Sequence, residues 1–298
     1  NNVIHESSGT GIYVRDNSIL IGNSVWGHSE YGVKIISGTS QQFYLNKIYD
    51  NTIGVYVLPG WVPITMMHNI VYNNVEVGIK VDGGSNASVT LENNVISQPA
   101  GRAIYVMGDT ETILIRNNIL EIGEAYGIYV EDDSQTYFDS NYNLLDVSET
   151  GYVGYWQGDR VTLSDWQSAS VQDANSILGD PQFVSPAGDD GVIGVLAGVD
   201  YGADDNFHVQ SGSIAIDQAD PSSVWMLEEG NNGNRANIGA YGNTSEATQS
   251  DQQVIQLLTP NGGERYELGV VENLIAQTSG LGMWDLLGLL NVGEGGSV

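Results

Sequence analysis

The sequence predicts an all-β chain wound as a right-handed parallel β-helix, a solenoid of about 21–25 residues per turn, and two repeat series sharing one period carry that prediction. In the first series Asn precedes a short apolar stretch: Asn2-Val3-Ile4, Asn23-Ser24-Val25, Asn46-Lys47-Ile48, Asn69-Ile70-Val71, Asn94-Val95-Ile96, Asn118-Ile119-Leu120 and Asn143-Leu144-Leu145, at steps of 21, 23, 23, 25, 24 and 25. In the second a small residue opens an alternating segment: Gly11-Ile12-Tyr13-Val14, Gly32-Val33-Lys34-Ile35, Gly54-Val55-Tyr56-Val57, Gly78-Ile79-Lys80-Val81, Ala103-Ile104-Tyr105-Val106 and Gly127-Ile128-Tyr129-Val130.

A third alternating stretch precedes each Asn, as in Val89-Thr90-Leu91-Glu92 and Ile113-Leu114-Ile115-Arg116, so each turn holds about three short strands. Stacked turns put Val, Ile and Leu inside and pair backbone between turns. Asn2, Asn23, Asn46, Asn69, Asn94, Asn118 and Asn143 then stack at an inward bend, each amide bonding the next and the local backbone. The recurring Gly residues read as turn positions where positive φ is cheap. Leucine-rich repeats have a similar period, but their Leu pattern and helix are absent from this sequence.

Three segments follow: repeat turns over 1–150, final turns and capping loops over 151–248, and C-terminal strands with an apolar tail over 249–298. Nine Lys and Arg stand against 37 Asp and Glu, a net charge of −28. Such a surface repels nucleic-acid phosphates and anionic lipid, which argues against either as partner. Cysteine is absent, which removes disulfides and thiolate chemistry. The stretch Leu281 to Val292 is too short to span a bilayer. With no basic and apolar leader before Asn1, the chain reads as a mature or excised product.

The repeats resemble the pectin-lyase-like right-handed β-helix superfamily, and more narrowly its secreted and surface members, over roughly Asn1 to Thr244. The later segments Thr162-Leu163-Ser164-Asp165-Trp166-Gln167, Gly179-Asp180-Pro181-Gln182-Phe183, Asn206-Phe207-His208-Val209-Gln210 and Gly212-Ser213-Ile214-Ala215-Ile216-Asp217 are similar to the closing section of those proteins. Asn234-Arg235-Ala236-Asn237-Ile238-Gly239-Ala240-Tyr241 is similar to their terminal signature. Physically, these segments read as cover for the open end of the coil, with Ser164 capping a short helix that carries Trp166. Leu258-Thr259-Pro260-Asn261-Gly262-Gly263-Glu264 resembles the opening of an extracellular β-sandwich, shortened here to about two strands. The resemblance implies an extracellular or cell-surface location. It includes polysaccharide lyases and uronate epimerases, but no catalytic motif of theirs transfers to these positions.

Chemistry is therefore sought on the outer faces. The middle position of the second series makes a vertical row of Tyr13, Lys34, Tyr56, Lys80, Tyr105 and Tyr129, able to bind an acidic polysaccharide through ring stacking and charge pairing. An ordinary cross-strand surface ladder is the plain alternative. In a lyase or epimerase, Lys80 or Lys34 would neutralise a uronate or abstract its proton. His5, His28, His68 and His208 lack metal-ligand spacing. No motif demands a cofactor. Calcium is the ion that Asp189, Asp190, Asp200, Asp204 and Asp205 would suit, although their spacing is not that of an EF-hand. Asn86 and Asn243 begin glycosylation-type triplets.

The ends point to self-association. Asn1 enters directly into the repeat rhythm, and Val254 to Leu258 with Tyr266 to Val271 read as strands around the Pro-Asn-Gly-Gly turn. Leu281, Met283, Trp284, Leu286, Leu287, Leu289 and Leu290 are too apolar for a free linker. A head-to-tail homo-oligomer, in which this tail covers a neighbour's first coil, is the leading functional expectation. A lyase or epimerase and a non-catalytic carbohydrate-binding solenoid are the alternatives.

Overall fold

The computed structural model describes residues 2–15, 18–36, 41–60, 63–84, 88–148, 150–230 and 232–250, together with the strands Val254–Thr259 and Ile275–Ser279. Three parallel sheets form the coil. The first contains Val3–His5, Ser24–Trp26, Lys47–Tyr49, Ile70–Tyr72, Val95–Gln98, Ile119–Ile122, Leu144–Val147 and Ile177–Leu178. The second contains Ile12–Arg15, Tyr31–Ile36, Ile53–Leu58, Val77–Asp82, Arg102–Met107, Tyr126–Val130 and Tyr152–Tyr155, and ends on the antiparallel Asp159–Arg160. The third contains Ile19–Ile21, Gln41–Tyr44, Ile64–Met67, Ser88–Glu92, Thr112–Arg116 and Phe138–Asn141. One strand per sheet per turn is the β-helix that the three sequence registers imply. Inside it, in-register aliphatic columns such as Val25, Ile48, Val71, Ile96, Leu120 and Leu145 are fully buried.

The seven Asn residues form a continuous ladder between the third and first sheets. From Asn23 on, each Oδ1 accepts from the backbone N–H and the Nδ2 of the Asn one coil earlier, at 2.9–3.2 Å. Nδ2 also donates to carbonyls that the bend turns inward, as Asn94 does to Met66 and Glu92. The bend is a single left-handed residue before each Asn: Gly22, Leu45, His68, Asn93, Asn117 and Tyr142 have φ between 49 and 65°. That conformation is costly for most L-residues, and the ladder holds it in place.

A second polar ladder, which the sequence reading missed, lines the corner between the first and second sheets. Ser7 N–H donates to His28 Nδ1, His28 N–H to Asn51 Oδ1, Asn51 N–H to Asn74 Oδ1, and Asn74 N–H to Gln98 Oε1, at 2.9–3.1 Å. Here too a left-handed residue (Glu6, Gly27, Asp50, Asn73) precedes the first four members. The mixture of Ser, His, Asn and Gln hides this ladder from a search for one repeated letter.

The Gly residues of the second series do not serve positive φ; Gly11, Gly32, Gly54, Gly78 and Gly127 are all outside the left-handed region. Space is the reason. A Cβ on Gly54 would stand 2.6 Å from the Gly78 carbonyl oxygen and 2.9 Å from a methyl of Val71. The Gly and the aliphatic residue after it therefore both face the interior, and the residue before the Gly turns outward.

Beyond the sixth full coil the helix Leu163–Ser170 closes the core. Its N-cap is Thr162, not Ser164: Thr162 Oγ1 accepts from Asp165 N–H and the Asp165 side chain returns a bond to the Thr162 backbone. Trp166 is fully buried against Phe138 and Trp156, and a Cβ on Gly154 would stand 2.5 Å from its ring.

Residues 183–241 do not continue over the end. They run back along the outer face of the first sheet, where Phe183, Phe207, Val209, Ile238 and Ala240 form a second core with Ile70, Val95, Ile119 and Leu144. Polar latches pin this layer: Lys47 Nζ donates to the carbonyls of Gly202 (2.7 Å) and Asp205 (2.9 Å), and Arg116 pairs with Asp220 at 2.7 Å. The first sheet is thus packed on both faces over much of its length, against the coil interior and against this layer. Further on, Val254–Thr259 pairs antiparallel with Ile275–Ser279; Tyr266 to Val271 lie outside the described residues.

The layer contains a pH-sensitive joint. Glu228, 5% exposed, accepts the N–H groups of Asn237 (2.8 Å) and Asn243 (2.6 Å), yet burial pushes its carboxyl up to about 7. A carboxyl raised in the folded state contributes stability below its unfolded value near 4.5, and that contribution is lost as pH rises through about 7. Glu228→Gln keeps an acceptor oxygen without the charge. It should melt close to the wild type at pH 4 and above it at pH 8, by on the order of 2–3 kcal/mol. Thermal unfolding at the two pH values measures the difference.

Candidate ligand-binding face

The outer face of the second sheet gathers the aromatic and cationic groups. Cross-strand register places Tyr13, Lys34, Tyr56, Lys80, Tyr105 and Tyr129 in one row, continued by Tyr155. Six strand spacings make the row about 29 Å long. Tyr13 is 48% exposed and the others are half-buried.

A second row, absent from the sequence reading, widens the face: Tyr31, Arg102, Tyr126 and Tyr152. Each directly precedes the small inward residue of its strand (Gly32, Ala103, Gly127) or stacks on one that does, as Tyr152 does on Tyr126. Strict alternation would turn this position inward, so its outward turn could be read only from the two successive inward residues.

The rings and cations interlock. Tyr31 stacks on Tyr56 at 4.8 Å, with Lys34 Nζ 4.9 and 5.2 Å from the two ring centres. Lys80 Nζ lies 5.7 Å from Tyr56 and 5.3 Å from Tyr105. The Arg102 guanidinium lies 4.5 Å from both Tyr105 and Tyr129, and Tyr129 stacks on Tyr155 at 4.3 Å. Carboxylates on the flank accept tyrosine hydroxyls: Asp82 from Tyr56 and Asp159 from Tyr126, each at 2.8 Å, and Glu131 from Tyr105. Burial and then the Glu131 contact push the Tyr105 hydroxyl up to about 12, and burial and Asp159 do the same for Tyr126, so both stay protonated donors.

Arg15, Lys34, Lys80 and Arg102 belong to this face, four of the nine cationic residues of a chain with net charge −28. Cations are thus concentrated on this face, beside the carboxylates of Asp82, Glu131 and Asp159.

Other sequence candidates lie apart from it. Asp200 accepts from Tyr49 and Gly202, Asp204 from Asp189 N–H, Asp205 from Gly194, and Asp190 from Val192, at 2.7–2.9 Å. These bonds shape the loops of the covering layer; among the described residues no three His, Asp or Glu groups come together to hold a metal ion. Asn243 is half-buried, its backbone N–H bonded to Glu228, and Asn86 lies outside the described residues. Leu281, Met283, Trp284, Leu286, Leu287, Leu289 and Leu290 also lie outside them.

Comparison with known proteins gives a family match: the right-handed beta helix region matches residues 1–143. No curated protein and no solved structure matches the chain. The family match and the stacked coils agree that this part of the chain is a right-handed parallel β-helix. Among the described residues no helix is long and apolar enough to cross a membrane.

Proposed function

We propose that this is an extracellular or surface β-helix that binds a polysaccharide along the outer face of its second sheet without turning it over. The observation that carries the reading is the in-register row from Tyr13 to Tyr155, which offers ring faces and cations at each coil spacing to an extended chain. Sugar C–H faces pack on tyrosine rings, and the sheet fixes those rings before binding, which lowers the ordering cost. The carboxylates beside the row are engaged by Tyr56, Tyr105 and Tyr126, which favours holding over proton abstraction.

Affinity electrophoresis across neutral and acidic polysaccharides tests it. At least one glycan should retard the protein, and the double substitution Tyr105→Ala/Tyr129→Ala should weaken that binding about tenfold, at roughly 0.5–1.5 kcal/mol for each ring. Retardation by none of the glycans would sink the reading. Release of an unsaturated uronate, or epimerised product by NMR, would replace binding with lyase or epimerase activity.

Head-to-tail self-association is the second reading, supported by the inward-facing Ile4, Ile12 and Leu20, which are only partly buried where their in-register neighbours Val25, Val33 and Phe43 are buried. Light scattering and electron microscopy at high concentration should then show oligomers that deletion of residues 280–298 abolishes; monomers throughout would refute it.

A further inference from the structure

We infer that Lys80 and Arg102 form an oxyanion subsite within this face, a seat for a carboxylate or sulfate group carried by the bound glycan. The inference rests on the glycan-binding reading for its biological ligand; the two cations and the cleft they line are the observations behind it.

Every other described cation except Lys34 is engaged by protein oxygen. Arg15 donates to the Tyr13 hydroxyl, Lys47 to two carbonyls, Arg116 to Asp139 and Asp220, Arg160 to the Trp156 carbonyl, and Arg235 to the carbonyls of Gln218 and Ala219. Lys34, Lys80 and Arg102 make no hydrogen bond or ion pair with a described residue. Lys34 sits between two rings, Tyr31 and Tyr56. Lys80 lies near Tyr56 and Tyr105 and Arg102 near Tyr105 and Tyr129, so the two share the Tyr105 ring, at 5.3 and 4.5 Å.

They do so in a cleft of about 340 Å³ lined also by Glu76, Gly101, Ala125 and Tyr126. Glu76 is exposed and within ion-pair distance of neither cation among the described residues. The other nearby carboxylates, Asp82 and Glu131, are held by Tyr56 and Tyr105.

Lys80 and Arg102 line one cleft, where like charges repel each other unless an anion joins them. A chain with 37 carboxylates has no shortage of internal partners, yet none is placed between them. Arg102 adds the directional part. Its guanidinium carbon lies 4.5 Å from two ring centres, and its Nε–H is buried with no acceptor among the described residues. A planar fork beside an ammonium group matches a carboxylate or a sulfate, with two parallel bonds from Arg102 and one charge-assisted bond from Lys80.

The test follows the Arg102 Nε–H signal by ¹⁵N NMR in the full chain, assigned by its loss in Arg102→Gln, during titration with glucuronate, glucose 6-sulfate and glucose. The signal should move with one or both anions and not with glucose, and Lys80→Gln should weaken that response about tenfold or more. Whichever of the two probes binds more tightly identifies the anion as carboxylate or sulfate. With polymers, Arg102→Gln should weaken polygalacturonate about tenfold and leave its methyl-esterified form within about twofold; Arg102→Lys, which keeps the charge, should lie between. A signal indifferent to both anions, or one that glucose moves equally, overturns the subsite even if an uncharged glycan still binds the face. An anion response without retention of any glycan upholds the subsite and overturns the glycan-binding reading instead.

Discussion

Asn94→Ala is expected to destabilise the coil by about 3–5 kcal/mol, because it strands several buried groups together. Asn94 Oδ1 accepts both the N–H (3.0 Å) and the Nδ2 (2.9 Å) of Asn69, while its own Nδ2 donates to Met66 O, Glu92 O and Asn118 Oδ1 at 2.9–3.1 Å. All three Asn residues are fully buried, so water does not replace the lost partners. The position also matters: each coil contacts only its neighbours, and a break at the centre uncouples the coils on either side. Denaturant unfolding should show a large loss of stability, with early hydrogen exchange at Asn69 and Asn118. The same change at Asn2, which is exposed, should cost less than about 1 kcal/mol. Equal losses at Asn2 and Asn94 would show that the ladder is not what holds the bend.

The coil was legible because its determinants repeat. Asn94 must be Asn wherever that corner recurs, so the ladder and the three-strand turn appear as letters at fixed spacing. The covering layer was not legible in that way. Its signal was present in the doubled apolar positions of the first series, Ile70-Val71, Val95-Ile96, Ile119-Leu120 and Leu144-Leu145, which imply a strand buried on both faces. Nothing in those pairs says whether the cover is another subunit or residues 183–241 of the same chain. The row Tyr13, Lys34, Tyr56, Lys80, Tyr105 and Tyr129 was visible as a column. Arg102 was not, because it stands before an Ala that breaks the Gly rule and turns outward only through the paired inward residues after it. His28, Asn51, Asn74 and Gln98 escaped for the opposite reason: one structural role is filled by three residue types, and a corner that needs only a side-chain acceptor leaves no fixed letter.

The far end of the ladder sets up the second large effect. Asp173, 1% exposed, accepts from Trp166 Nε1 at 2.7 Å, Ser176 Oγ at 2.6 Å, Ser140 Oγ at 3.0 Å and Asn143 Nδ2 at 3.1 Å. One carboxylate thereby joins the last Asn of the ladder, the closing helix and the strand Phe138–Asn141. Asp173→Ala leaves four buried donors without this acceptor, and the expected cost is about 4 kcal/mol or more, less than the sum of separate losses because the four share one site. Asp173→Asn retains one acceptor oxygen but turns an amide N–H toward groups that are themselves donors, so it should recover only part of the loss. Unlike Asn94, Asp173 sits beside the last coil, and the damage should begin there. Fluorescence of the buried Trp166 and the half-buried Trp156 should shift before the far-ultraviolet β signal falls, with exchange rising first over residues 138–178. Coincident loss of all three signals, at the wild-type midpoint, would mean that Trp166 packing alone closes the core and that Asp173 is dispensable.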